Sequence, residues 1–135
     1  MQWSAAHGTG FTTAPDAWLP IAPDFETVNV ARQATNPRSL FSFYRRMIWY
    51  RKGSAVLRCG SYRPLDGPAD TFVFVREHDG KRLLVALNFA DEPLVVKLTR
   101  PGRIELSTDC DRQLGPLTGT GVEIGPSEGV IVALH

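Results

Sequence analysis

Thr71-Phe72-Val73-Phe74-Val75, followed across His78-Asp79-Gly80 by Leu83-Leu84-Val85-Ala86-Leu87, is the stretch that decides the fold. Both runs are rich in β-branched and apolar residues with a repeat of two, and the Asp-Gly pair between them suits a tight turn. The reading is an antiparallel hairpin with Asp79-Gly80 at its tip. Outward from it, strands are expected at Gly60–Leu65, Leu94–Leu98, Arg103–Ser107, Val122–Ile124 and Val130–Leu134, with Gly or Pro between most of them. Seven short strands at this spacing predict a mainly β fold, an antiparallel β-sandwich. Phe72, Phe74 and Phe89 fall at alternating or core-like positions, which leaves Tyr62 as the one strand aromatic for an outer face.

Upstream of Gly53 the character of the chain changes. Residues 1–35 are punctuated by Gly8, Gly10, Pro15, Pro20 and Pro23 too often for a long helix or central strand. Asn36-Pro37 then offers a helix start, with Asn36 as cap and Pro37 at the first helical position, where its missing N–H costs nothing. Leu40, Phe43, Tyr44, Met47, Ile48 and Arg51 follow at helical spacing, and Gly53 is the stop. Phe41, Trp49 and Tyr50 lie off that stripe, so this amphipathic helix is expected to pack on two sides. The organisation predicted is thus 1–53, a long loop and one helix, and 54–135, the sandwich.

The chain has 135 residues, 43% of them hydrophobic, enough for one core. Fifteen Lys and Arg against fourteen Asp and Glu leave a formal charge of +1, with no basic block to follow a nucleic-acid backbone or anionic membrane. No apolar run approaches the roughly 18–20 residues of a membrane helix, and the first residues lack the pattern of a signal peptide. The expectation is a cytoplasmic protein with neither nucleic acid nor membrane as partner. Cys59 and Cys110 are the only cysteines, in no C-x-x-C arrangement, and read as reduced thiols used as small buried groups.

Several blocks, in order, resemble the C-terminal end of the α-amylase superfamily of retaining α-glycosidases, and within it the α-glucosidase and oligo-1,6-glucosidase branch. They are Met1-Gln2-Trp3, Gly10-Phe11-Thr12-Thr13, Trp18-Leu19-Pro20, Val28-Asn29-Val30, the segment Phe43–Ile48 continuing to Arg51-Lys52, and Leu84-Val85-Ala86-Leu87-Asn88-Phe89. The resemblance implies that residues 1–53 are the loop after the eighth strand and the last helix of a (β/α)8 barrel, and that the rest is the sandwich behind it. It accounts for an opening loop that looks like the middle of something. The family's chemistry uses an Asp nucleophile and a Glu acid roughly 5–5.5 Å apart. With the further Asp that holds sugar hydroxyls, these sit on earlier barrel strands, so no residue here inherits a catalytic role. The partners implied are that catalytic barrel and the α-glucoside or oligosaccharide substrate of the parent enzyme, with a homodimer through the helix face if that face is left uncovered. Ser4 departs from the Asp that commonly follows Met-Gln-Trp in the α-glucosidase branch and matches the trehalose synthase branch, which isomerises maltose.

By resemblance, Gln2, Trp3 and Phe11 border the substrate pocket, Trp3 either walling a sugar site or anchoring the loop from beneath. No catalytic, cofactor or metal site stands out elsewhere. His7, His78 and His135 occupy a loop, a turn and the terminus without ligand spacing. Asp109-Cys110-Asp111 reads as a charged turn, lacking the Gly and distal Glu of a calcium loop. Gly125-Pro126-Ser127-Glu128-Gly129 matches G-x-S-x-G letter for letter, yet a strand follows it where a nucleophile elbow needs a helix. Two rival functions remain: a stand-alone carbohydrate-binding module using exposed Trp3, Trp18, Trp49 or Tyr62, and a plain interaction domain.

Overall fold

Eight strands form in the computed structural model, which describes residues 1–135: β1 (Ser61–Leu65), β2 (Thr71–His78), β3 (Lys81–Asn88), β4 (Leu94–Lys97), β5 (Gly102–Ser107), β6 (Gly115–Pro116), β7 (Gly121–Ile124) and β8 (Gly129–Leu134). All pairings are antiparallel, in a six-stranded sheet of order β1-β2-β3-β8-β5-β6 and a two-stranded sheet β4-β7. The predicted hairpin closes at His78 opposite Lys81. Asp79 (φ 49°) and Gly80 (φ 73°) both take left-handed backbone, the turn whose twist matches that of the strands.

The two sheets form a sandwich because the alternation predicted from sequence is real. Val73, Val75, Leu84, Ala86, Ile104, Val130 and Val132 of the larger sheet meet Val96 and Leu98 at the end of β4, and Val122 and Ile124 of β7, in one buried cluster. Two buried polar side chains close one end of it. Asn88 donates through Nδ2 to the carbonyls of Glu92 (2.9 Å) and Gly125 (2.8 Å) and accepts from Ala90 N (2.9 Å). Glu128 accepts from Ser107 Oγ (2.5 Å), Arg112 Nη1 (2.7 Å) and Gly125 N (2.7 Å). Arg112 also donates to the carbonyl of Glu123 in β7. The G-x-S-x-G stretch is therefore the turn into β8, with Ser127 at φ 51° and its glutamate locked into the core edge. The outer strands of the larger sheet, β1 and β6, contain Pro64 and Pro116.

On the opposite face of the larger sheet a second small core forms. The short helix α3 (Ala55–Cys59) lays Val56 and Leu57 on Leu83, with Tyr50, Ile131 and Ala133 against them. Ser54 caps α3 by accepting from Leu57 N (3.2 Å), and Arg51 donates to the carbonyl of Leu57 (2.6 Å) at its other end. Gly60 is required where α3 turns into β1, since a Cβ there would lie 2.4 Å from the carbonyl oxygen of Val56. Burial, with the negative charge of Glu105 adding to it, pushes the Tyr50 hydroxyl up to about 12.

Two compact units, Met1–Arg46 and Met47–His135, divide the chain, and the sandwich belongs to the second. Ahead of the sandwich, the single predicted helix is corrected to three. Helix α1 (Val30–Thr35) starts early because Asn29 caps it, accepting from Arg32 N (3.0 Å). Asn36 instead ends α1, and its Oδ1 accepts from Arg38 N (2.9 Å) in a turn. Ser39, accepting from Ser42 N (3.1 Å), then caps α2 (Leu40–Gly53), which stops at the predicted glycine. Along α2 only Ser42 is buried, Tyr50 packs against the second small core, and Leu40, Tyr44, Ile48 and Trp49 are 67%, 51%, 47% and 65% exposed, so the second neighbour expected for this helix is not among these residues. Lys52 and Arg45 lie over the Trp49 and Phe41 rings. Cys59 and Cys110 form no disulfide, the first being exposed and the second half-buried, so neither is the buried packing group expected. No helix is long and apolar enough to cross a membrane.

Removing the Glu128 carboxylate leaves Arg112 Nη1, the Ser107 hydroxyl and the Gly125 N–H without the acceptor they share. Glu128→Ala is expected to lower unfolding free energy by about 3–5 kcal/mol, read as a shifted urea midpoint at unchanged slope. Because the folded state holds the Tyr50 proton more tightly than the unfolded chain, its contribution is complete below about pH 10 and is lost as pH rises toward about 12. A tyrosinate absorbance titration of the folded chain should therefore show a step near pH 12 that Tyr50→Phe removes.

Candidate functional site

The loop at the start of the chain is built from backbone ties, which explains how so few regular elements hold it. The backbone N–H groups of Trp3 and Ser4 both donate to the carbonyl of Thr9 (2.9 and 3.1 Å), while Val30 N donates to Gln2 O (3.0 Å) and Ala31 N to Trp3 O (2.9 Å). Gln2 and Trp3 are thus pinned from two directions at once. Thr9 is buried at φ 53° in the kinked segment His7–Gly10, where both it and Gly8 (φ 60°) take left-handed backbone. At the far end Asn29 is buried and donates through Nδ2 to the carbonyls of Phe25 (2.8 Å) and Glu26 (3.3 Å) while its oxygen caps α1. The side chain of His7 bonds the carbonyl of Ala14 (3.2 Å), which gives that histidine a structural role.

These ties leave a cleft of about 450 Å3 whose walls include Gln2, Phe11, Thr12, Asp16, Trp18 and Pro20. Its volume falls within the range of small-molecule sites. Of the three residues expected at a rim, Gln2 and Phe11 come together in this cleft, whereas Trp3 is not among its walls. Trp3 is 47% exposed, Phe11 75% and Trp18 95%. Sequence reasoning passed over Asp16 and Thr12, the carboxylate and hydroxyl of the cleft; a Pro-Asp pair inside a Pro-rich loop carries no spacing signal that would separate it from an ordinary turn. A second groove of about 350 Å3 runs past Met1, Gln2, Val28, Leu40, Phe41 and Tyr44.

Chemically, an amide, a hydroxyl and a single carboxylate beside exposed rings suit a neutral ligand carrying hydroxyls. Acid–base cleavage of a glycosidic bond needs two carboxyl groups facing one bond, and only Asp16 lines this cleft. No group of three or more His, Cys, Asp or Glu side chains is placed to hold a metal ion. Asp109 Oδ1 accepts from Asp111 N (2.9 Å), as a charged turn would.

Residues 1–60 match the family model "Alpha amylase, catalytic domain". The chain is 31% identical over 139 residues to the amino acid transporter heavy chain SLC3A1 of Homo sapiens, covering 97% of this chain and 20% of that protein. It is 29% identical to the oligo-1,6-glucosidase of Bacillus cereus, covering 99% of this chain and 24% of that enzyme. Among solved structures, the trehalulose synthase of Pseudomonas mesoacidophila MX-45 superposes with a TM-score of 0.81 at 31% identity, covering 99% of this chain and 24% of that one. The chain therefore spans about a fifth to a quarter of the length of these relatives. With its loop and helices matched by a catalytic-domain model and its whole length superposing on a solved relative, the chain belongs to the α-amylase superfamily, alongside its α-glucosidases and oligo-1,6-glucosidases.

Proposed function

We propose that this chain is the C-terminal, non-catalytic part of an enzyme that acts on α-glucosides with retention, in which residues 1–53 are the last barrel loop and helix and residues 54–135 the sandwich. The observation that carries this reading is that the catalytic-domain match runs through the loop and α2 into α3, while the structural match continues across the sandwich. The open apolar stripe of α2 and the groove past Met1, Leu40 and Tyr44 support a barrel as the missing neighbour. The part played by this chain is to cover apolar barrel surface and to hold a pocket-rim loop, with Gln2 and Phe11 at the rim and Trp3 behind them as an anchor. The nucleophile and acid lie outside these residues, and the chain alone is inactive.

Two further readings rest on particular observations. Ser4 and the trehalulose synthase superposition favour an isomerase parent that moves a glucosyl unit within a disaccharide. The likeness to a transporter heavy chain favours a parent that keeps this scaffold for assembly. Translation of the coding DNA upstream of the Met1 codon separates them: an open frame carrying the barrel Asp and Glu supports an enzyme, and a barrel without them supports the assembly reading.

The chain on its own should release no nitrophenol from p-nitrophenyl α-glucoside. Exchanged for the corresponding segment of the Bacillus cereus oligo-1,6-glucosidase, it should yield a folded chimera that hydrolyses isomaltose; a folded but inactive chimera counts against the proposal. In that chimera Phe11→Ala should raise KM by roughly tenfold with little change in kcat, the loss of one stacking contact. Trp3→Ala should instead lower Tm and leave KM nearly unchanged.

A further inference from the structure

Phe72 and Phe74, which their alternation assigned to the core, point away from it. The register sets Pro64 opposite Phe74 and Phe72 opposite Leu87, while the intervening Val73 and Val75 carry the buried face. Tyr62 of β1 joins them on the outer side: its ring centroid lies 5.2 Å from that of Phe74, which lies 5.3 Å from that of Phe72. The planes are tilted by 42° and 52°, so the three rings make a stepped row across two strands. Tyr62 is 53% and Phe72 46% exposed, with Phe74 half-buried between them. Tyr62 is therefore not the one strand aromatic on the outer face, contrary to the expectation from sequence.

We infer that this aromatic row on the outer face of β1 and β2 binds a neutral α-glucan chain. The class of sugar rests on the glucoside reading above; the case for a saccharide of some kind rests on the row itself. Pyranose rings present apolar C–H faces that stack on aromatic rings, and the Tyr62 hydroxyl adds a hydrogen-bonding group at one end. The row itself is uncharged: Pro64 and Phe74 are neutral, and the cation beside them, the guanidinium of Arg76 opposite Tyr62, directs its donors to the carbonyls of Gly60 (2.7 Å) and Ser61 (3.1 Å). Size argues in the same direction. At these exposures three rings leave roughly 250 Å2 open, against about 800 Å2 per partner in a stable protein pair, so the row suits a short saccharide better than a protein surface. Patches of a few hundred Å2 are the ones that are often functional. The row also begins at the edge strand of its sheet, where a polymer can pass without threading a pocket.

The test is affinity electrophoresis of the full 135-residue chain through gels containing dextran or soluble amylose, with maltoheptaose titrated by calorimetry. Retardation is expected, with Kd about tenfold weaker in Tyr62→Ala and in Phe72→Ala and unchanged in Val95→Ala, an exposed position on β4 of the other sheet. Amide shift perturbation on the unsubstituted chain gives a readout independent of any variant's folding, and it should centre on residues 62, 72 and 74. Absence of retardation by either glucan overturns the proposal. So does retardation, or shift perturbation, confined to the Phe11 and Trp18 loop, which would place the sugar at the rim. Sedimentation as a dimer that Phe72→Asp dissociates also overturns it, since a second copy would then occupy the row. Because binding is read on this chain alone, an inactive chimera with intact glucan retardation would defeat only the reading of the parent enzyme.

Discussion

Everything in the sandwich depends on a carboxylate taken out of water. Glu128 stands at the entrance to β8, where the six-stranded sheet, the end of β7 and the loop after β5 converge, and its two oxygens accept from groups belonging to each of them. A buried charge left unpaired costs several kcal/mol, so this arrangement is stable only when all three donors arrive together. Arg112 makes the coupling stronger, because the same guanidinium that meets Glu128 also holds the carbonyl of Glu123 in the two-stranded sheet. Asn88 does a neutral version of the same task one strand away. The two sheets share an apolar interior, but these polar ties fix which end is closed and in what register.

The strands were legible because each carries its own repeat of two and is bounded by Gly or Pro; all seven expected strands are present, within a few residues of their predicted ends. The eighth, Gly115–Pro116, has no such signature, since two residues that disfavour strands pair only because β5 is already in place beside them. The helices were read less well for a related reason. Asn36-Pro37 has every local mark of a helix start, but Asn29, six residues before α1 ends, captures the capping role through contacts to Phe25 and Glu26 that no local pattern announces. Helix α3 is only five residues long and exists because Leu83, Ile131 and Ala133 give it a floor.

The rim residues illustrate a different limit. Family resemblance brings Gln2, Trp3 and Phe11 forward together, and the fold separates them, because the backbone pins that hold Trp3 on both sides leave its ring outside the cleft that Gln2 and Phe11 share. The aromatics of β2 show the complementary case. Alternation establishes that Phe72 and Phe74 share one face and Val73 and Val75 the other; which face is covered is decided by β4 and β7, far along the chain, and they cover the valines.

Pro64 and Pro116 sit in the two outermost strands of the larger sheet. A proline has no N–H to offer a new neighbour, so each edge presents a broken ladder to any extended segment that approaches it. Growth of the sheet by strand addition is thereby discouraged at both ends, and association is steered to the faces. A domain with exposed aromatic rings on its sheet and an open apolar stripe on its helix keeps that surface from templating fibres by blunting the edges around it.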